Sequence, residues 1–281
     1  MTAVVCAAAA GAVAYLIAGS FPALRAQGLS FFTDSGWLYR HGHYGAASML
    51  FGSAAVAALA LVIAVPPALA TALFISEICT RRLHIALKVA VELLAGIPSV
   101  VYGLLGVLIL RDWISRAFEQ FHVDSLSADT LLTAGVLLAI MVLPTITTLA
   151  DDALNAVPRT SREAARGLGL TRAEAVLTVV VPRAMPGLVG AVLLGFGRAI
   201  GETIAVFLVV GRADNRPMSL GALFDAGQTI TSKLGGSETN IAVGDPLHMS
   251  AMIALSLVLL SAVLVVSFAA QALRLRIAEA R

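Results

Sequence analysis

Charge is what this sequence has least of. Asp, Glu, Lys and Arg make up 13% of its 281 residues, 59% are hydrophobic, and the mean hydropathy is +0.91. A soluble domain carries about a quarter charged residues, so so few charges exclude a soluble catalytic domain. Cysteine is scarce too: Cys6 and Cys79 lie in or at the end of apolar runs without metal-ligand spacing. They are read as packing residues and not as metal ligands or a cofactor site. The net charge of +2 is small and gives no reason to expect a nucleic-acid partner. No Gly-x-x-x-x-Gly-Lys-Ser/Thr stretch is present either, so the chain has no phosphate-cradling ATP loop of that kind.

What is present is long apolar runs, at about Thr2–Ala23, Ser48–Ile75, Ala86–Leu110, Thr130–Ala150, Gly187–Val210 and Met249–Ala272. A spanning helix needs roughly 20 mostly apolar residues, and an open sheet edge cannot be satisfied in lipid. The expected fold is all-α: a polytopic membrane helix bundle of six spans, forming one transmembrane domain over residues 1–281. The first run lacks a basic leading segment and a clear cleavage site, so a retained span is expected rather than a signal peptide.

Basic residues orient the bundle. Arg81, Arg82, Lys88, Arg159, Arg162, Arg166, Arg172, Arg183, Arg274, Arg276 and Arg281 lie in one set of connections. They outnumber Arg25, Arg40, Arg111, Arg116, Arg212, Arg216 and Lys233 in the other. The first set is expected to be cytoplasmic, with both termini. On the outer side, Leu220, Leu223, Phe224 and Ile230 recur at near-helical spacing, which suits either a short interfacial helix or an ordered loop.

The connection over residues 151–184 breaks the apolar pattern. Its "SREAARGLGLTRAEAVLTVVVPRAMPG" stretch holds two S/T-x-x-E patterns, at Thr160–Glu163 and Thr171–Glu174, each an N-terminal capping box. Gly167 and Gly169 between them can take a left-handed helix end. The expected result is a short helix, a glycine turn and a second helix that Pro182 and Pro186 interrupt. A solvated linker is one reading. The small Ala164, Ala165, Gly167 and Gly169 favour a docking surface with Glu163 and the arginines at its rim. Helix-turn-helix DNA binding fits poorly, because the segment has no basic stripe and exits directly into a span.

These residues resemble the EAA loop of bacterial ABC-importer permeases. Glu163, Ala164, Ala165, Gly169 and Pro182 fall at that pattern's spacing, with Val179 and Val181 in place of its Ile and Leu. The resemblance implies the type I ABC importer permease fold, with a coupling helix between spans four and five that seats in a separate cytoplasmic ATPase. ATP would bind only to that partner, present in two copies. Closure of the ATPase dimer would then switch the spans between inward-facing and outward-facing states.

Two further stretches, "AGIPSVVYGLLG" and "GRAIGETIAVFLVVG", are similar to the phosphate-transport branch of these permeases, the second closer to the PstC type than to PstA. That branch implies a PstA-like second permease, an extracytoplasmic phosphate-binding protein, surrounding lipid and a bacterial or archaeal plasma membrane. Alternatives are a permease for molybdate, tungstate or sulfate, and a secondary transporter or channel that needs no ATPase.

Charges inside a span cost roughly 2.5–3.5 kcal/mol each and mark function by default. Arg198 and Glu202 are such a pair, four residues apart and therefore expected on one helix face. They form either a mutual ion pair or an anion path in which Arg198 meets the substrate and Glu202 holds its guanidinium. Gly197 and Gly201 would permit close helix packing on that segment. Lys88 and Glu92 read as a similar structural pair. Pro98 is expected to kink the third span near Ser99, which would either ease packing or add a hydroxyl and freed backbone groups to the path.

Overall fold

The computed structural model describes residues 2–122, 128–215 and 218–279. Helix α1 (Thr2–Gln27) and a single turn α2 (Ser30–Thr33) lead into an antiparallel hairpin of β1 (Trp37–Leu38) and β2 (His43–Tyr44), with Trp37 opposite Tyr44. Next come α3 (Ala47–Leu73), α4 (Arg81–Ala95), α5 (Ser99–Leu105), α6 (Arg111–Phe121) and α7 (Leu131–Asn155). Then follow α8 (Arg159–Gly167), α9 (Arg172–Ala175), α10 (Val181–Gly201) and α11 (Ile204–Val209). The chain closes with α12 (Ile230–Leu234), α13 (Glu238–Ala242) and α14 (Pro246–Glu279).

Among the described residues, five stretches are long and apolar enough to cross a bilayer: Val4–Gln27, Ala47–Ile78, Leu131–Asn155, Arg172–Gly201 and Pro246–Leu273. The remaining expected run is a broken pair, Arg81–Ala95 and Ser99–Phe121. The kink expected near Ser99 is thus a complete break. Pro98 has no N–H to give and disfavours helical backbone at Ile97, so α4 stops before it.

The fifth span differs from its expected bounds at both ends. It begins at Arg172 because Pro182 does not end the helix: a wide π turn over Val176–Val180 precedes it, closed by the Val181 N–H on the Val176 carbonyl. This added residue absorbs the misfit that a proline missing its N–H would otherwise cause. Pro186 also sits within α10. At the far end α10 stops at Gly201, and Glu202 and Thr203 separate it from α11.

The chain divides into two compact units, Met1–Ala58 with Ser99–Leu138 and Ile200–Val263, and Leu59–Pro98 with Ala139–Ala199 and Leu264–Arg281. In the first, Phe31, Tyr44, Met49 and Leu255 are among the buried core. The Ser250 hydroxyl enters the α1 ladder there, donating to the Gly19 carbonyl at 2.7 Å and accepting from the Ala23 N–H at 2.9 Å. Gly19 allows the approach, since a Cβ there would lie 2.9 Å from Ile253.

The connection from α11 to α14 in this unit is not one interfacial helix. Leu220–Phe224 forms a 3₁₀ turn, and the chain then folds inward so that Gln228, Thr229 and Ile230 are buried. Gly227 donates to the Val210 carbonyl at 3.0 Å, and a Cβ on Gly52 would meet the Gln228 carbonyl at 2.1 Å. Backbone pairing and small-residue contacts, which hydrophobic spacing does not report, decide this segment.

In the second unit Ala72, Ala150, Leu154, Val180, Ala184, Leu188 and Ala191 form the core. Gly187 and Gly195 bring α10 against α7: a Cβ on either would lie 2.5 Å from Ala153 or Ile146. Gly197 and Gly201, the pair singled out by spacing, have nothing within 4 Å of such a Cβ. The close packing therefore uses a different face of α10.

Candidate functional site

The first candidate site is built from α8 upward. Helix α8 begins at Arg159 behind Pro158, whose φ of −56° suits a helix start, and no side chain caps it. Thr160 is therefore already helical, and the first expected capping box does not form. Ser161 instead accepts a hydrogen bond from Arg183. The second box does form: Thr171 Oγ1 accepts from the Glu174 N–H, and Glu174 Oε2 accepts from the Thr171 N–H at 2.8 Å.

Between the boxes the helix ends in a Schellman motif. Leu170 N–H reaches the Ala165 carbonyl at 3.3 Å and Gly169 N–H the Arg166 carbonyl at 2.9 Å, with Gly169 at φ +84°. Gly169 alone takes the left-handed conformation expected of the pair, since Gly167 is the last residue of α8. Glu163, Ala164, Gly167 and Gly169 are exposed. Ala165 faces the other way and is 3% exposed, so it packs α8 onto its own chain and is not on the open face. Pro182 is half-buried in the first turn of α10.

An ion pair that the sequence did not suggest fixes α8 to the spans. Arg162 Nη2 lies 2.9 Å from Glu77 Oε1 and donates to the Leu154 carbonyl at 2.7 Å. Glu77 is buried in the π turn Phe74–Ile78 that ends the second span. Nearby, Lys88 does not pair with Glu92, which is exposed. Its Nζ lies 3.3 Å from Asp151 Oδ2 and donates to Asp152 Oδ1 at 2.5 Å, while Asn155 Nδ2 donates to Asp151 Oδ1 at 2.9 Å. Spacing along one helix could not reveal partners that lie on another.

The second candidate site centres on Arg198. Its Nη1 donates to Thr145 Oγ1 at 2.6 Å and its Nη2 to the Ala95 carbonyl at 3.4 Å. Ala95 is the last residue of α4, where the break at Gly96–Pro98 frees the carbonyl. Arg198 is thus held by neutral oxygens from two other helices, and its side chain is exposed. Among the described residues no carboxylate lies within ion-pair distance of it. Glu202 falls outside α10 and so not on the face expected: its Oε1 accepts from the Ala205 N–H at 3.3 Å and caps α11. Pro98 lies exposed in the break, and half-buried Ser99 opens α5. Thr145, on α7, was not visible as a partner because nothing in a Pro-Thr-Ile-Thr-Thr run distinguishes one threonine from the next.

Away from these sites, Lys233 is almost fully buried, with Nζ 2.7 Å from Asp214 Oδ2 and 3.4 Å from Glu238 Oε2. Trp37 Nε1 donates to Glu238 Oε1 at 3.0 Å. Burial, aided by the nearby charges of Asp245 and Glu238, pushes the Tyr44 phenol up to about 12. Cys6 is exposed on α1 and Cys79 half-buried, so neither is a core packing residue.

Residues 72–279, which include α8 and the apolar spans on either side of it, match a described family, "Binding-protein-dependent transport system inner membrane component". The chain belongs to this family. The permease is 38% identical over 263 residues to the "Phosphate transport system permease protein PstC" of Mesorhizobium japonicum, covering 89% of this chain and 79% of that protein. It is 34% identical to the PstC of Haemophilus influenzae over 87% of this chain and 80% of that one. In structure the permease resembles the inward-facing MetNI methionine ABC transporter, with a TM-score of 0.58 at 18% identity, covering 83% of this chain and 94% of that chain. Its fold is that of the type I ABC importer permeases. It is a multi-pass inner-membrane transport subunit and not an enzyme. The family implies association with ATP-binding subunits and a binding protein.

Proposed function

We propose that this permease carries phosphate as the PstC-type half of an ATP-driven importer. The observation that carries the reading is Arg198: an exposed guanidinium on a spanning helix, held by Thr145 and Ala95 and without a carboxylate partner among the described residues. An unpaired charge on a spanning helix is costly, and a planar fork of donors suits a tetrahedral oxyanion. The PstC names of the relatives point to phosphate among such anions. The permease itself binds no cofactor in this reading. It pairs with a PstA-like permease and two ATPase copies, receives phosphate from an extracytoplasmic binding protein, and keeps both termini in the cytoplasm. Exposed Glu163, Ala164, Gly167 and Gly169 meet the ATPase, while the Arg198 region lines the path. Pro98 and Ser99 bound the break after α4, and Glu202 lies in the break after α10.

The test is ATP-dependent uptake of labelled phosphate by the reconstituted complex. Arg198→Ala is expected to abolish uptake while the complex still assembles, and unlabelled molybdate, tungstate or sulfate is expected to compete poorly. Normal uptake by the variant would remove Arg198 from the path; strong competition by another oxyanion would reassign the substrate.

A further inference from the structure

We propose that Thr145 is a second anion-contacting residue of the path, acting with Arg198; the inference rests on the reading of Arg198 just given. The threonines of α7 do not behave alike. Thr147 Oγ1 donates to the Leu143 carbonyl at 2.9 Å and Thr148 Oγ1 to the Pro144 carbonyl at 2.9 Å. Both protons have a backbone acceptor one turn back on their own helix, as is usual for helical threonine, and Thr147 Oγ1 lies in addition 3.4 Å from the Ala68 carbonyl. Thr145 Oγ1 instead accepts the Arg198 Nη1 proton at 2.6 Å. Among the described residues its own hydroxyl proton has no acceptor. A hydroxyl carries one donor and two acceptor sites, so Thr145 can hold Arg198 and still give a hydrogen bond outward.

The same geometry leaves Arg198 with its Nε hydrogen and the second hydrogens of Nη1 and Nη2. Unused N–H and O–H donors therefore sit side by side at one point, supplied by α7 and α10, with the Ala95 carbonyl of α4 bracing the guanidinium from another side. An oxyanion with several acceptor oxygens fits this arrangement, because one oxygen can take the arginine and another the threonine. Hydrogen bonds to a charged partner are the strong ones, so loss of the hydroxyl is expected to slow transport roughly tenfold.

The experiment uses the complete transporter with its binding protein in proteoliposomes and compares Thr145→Val, Thr145→Ser and Arg198→Ala. Valine keeps the branched shape without the hydroxyl, and serine keeps the hydroxyl. The expected result is that Thr145→Val takes up phosphate about tenfold more slowly, as one charge-assisted hydrogen bond would dictate. Binding-protein-stimulated ATP hydrolysis should stay near the parent level, and Thr145→Ser should transport nearly as well as the parent. A purely structural role would lower hydrolysis and uptake together and would not be rescued by serine.

Normal uptake by Thr145→Val beside an inactive Arg198→Ala would overturn the role of Thr145 and leave the path reading intact. Normal uptake by Arg198→Ala would overturn both. Should Thr145→Val fail to assemble, Thr145→Ala against Thr145→Ser decides: equal uptake by the two removes the hydroxyl from the path, and slow uptake by alanine alone supports it.

Discussion

Gly167 and Gly169 are two residues apart in the loop and look equivalent as letters, yet their backbones ask for different things. Gly169 sits at φ +84° with open space where a Cβ would go, so its constraint is conformational and not steric. An alanine there meets a penalty of about 1–2 kcal/mol for left-handed backbone. Gly167 is helical with nothing within 4 Å of a Cβ, and alanine in a helix is favoured over glycine by roughly 0.5–1 kcal/mol. Gly169→Ala is therefore expected to lower the amount of ATPase that co-purifies with the permease and the phosphate moved per ATP. Gly167→Ala carries no such backbone penalty within the chain, so any loss it causes should be the smaller and come only from the added methyl at the ATPase contact. Equal losses for the two would mean that the loop is read by shape at its surface and not by the turn.

At the scale of elements, α8 can transmit force only if something stiff joins it to the spans. The Glu77–Arg162 pair supplies that join, with side chains 10% and 21% exposed. Breaking a fully buried pair costs 3–5 kcal/mol; with this partial exposure the expectation falls to about 2 kcal/mol. Glu77→Ala is expected to lower the thermal stability of the purified complex and to uncouple ATP hydrolysis from uptake. Arg162→Ala added to it should cost little more, giving a coupling energy of about 1 kcal/mol or above in a double-mutant cycle. Strict additivity would show that the pair is not the joint. This element also marks where the sequence stopped being informative. The spans, the Thr171 capping box and the break at Pro98 were legible because hydrophobic length, a local hydrogen-bond pattern and a missing N–H act within a few residues. Glu77 with Arg162, Lys88 with Asp151 and Arg198 with Thr145 were not, because each joins helices far apart in the chain. Local spacing even misled at Glu202, where the helix had already ended.

At the scale of the whole molecule, the remaining question is which end of the bundle faces the ATPase, and one exposed residue makes it testable. Leu168, just past the end of α8, is 84% exposed in the isolated chain. A large apolar side chain beside Glu163 and Arg166 on a polar loop is the kind of surface that a partner covers. The proposed orientation puts Leu168 on the cytoplasmic side and Val243, 73% exposed between α13 and α14, on the outer side. The natural thiols must first be removed, since Cys6 is exposed and would report on its own. In a Cys6→Ser, Cys79→Ser background, Val243→Cys is expected to react with a membrane-impermeant maleimide added outside, and Leu168→Cys only with reagent added inside. Leu168→Cys should label fully when the permease is made without its ATPase and lose most of that labelling in the assembled complex. Labelling of Leu168→Cys from outside would invert the bundle. Undiminished labelling from inside in the assembled complex would mean that the partner's groove stops short of the α8 turn, so that the conformational demand of Gly169 serves the fold of the loop and not the contact itself.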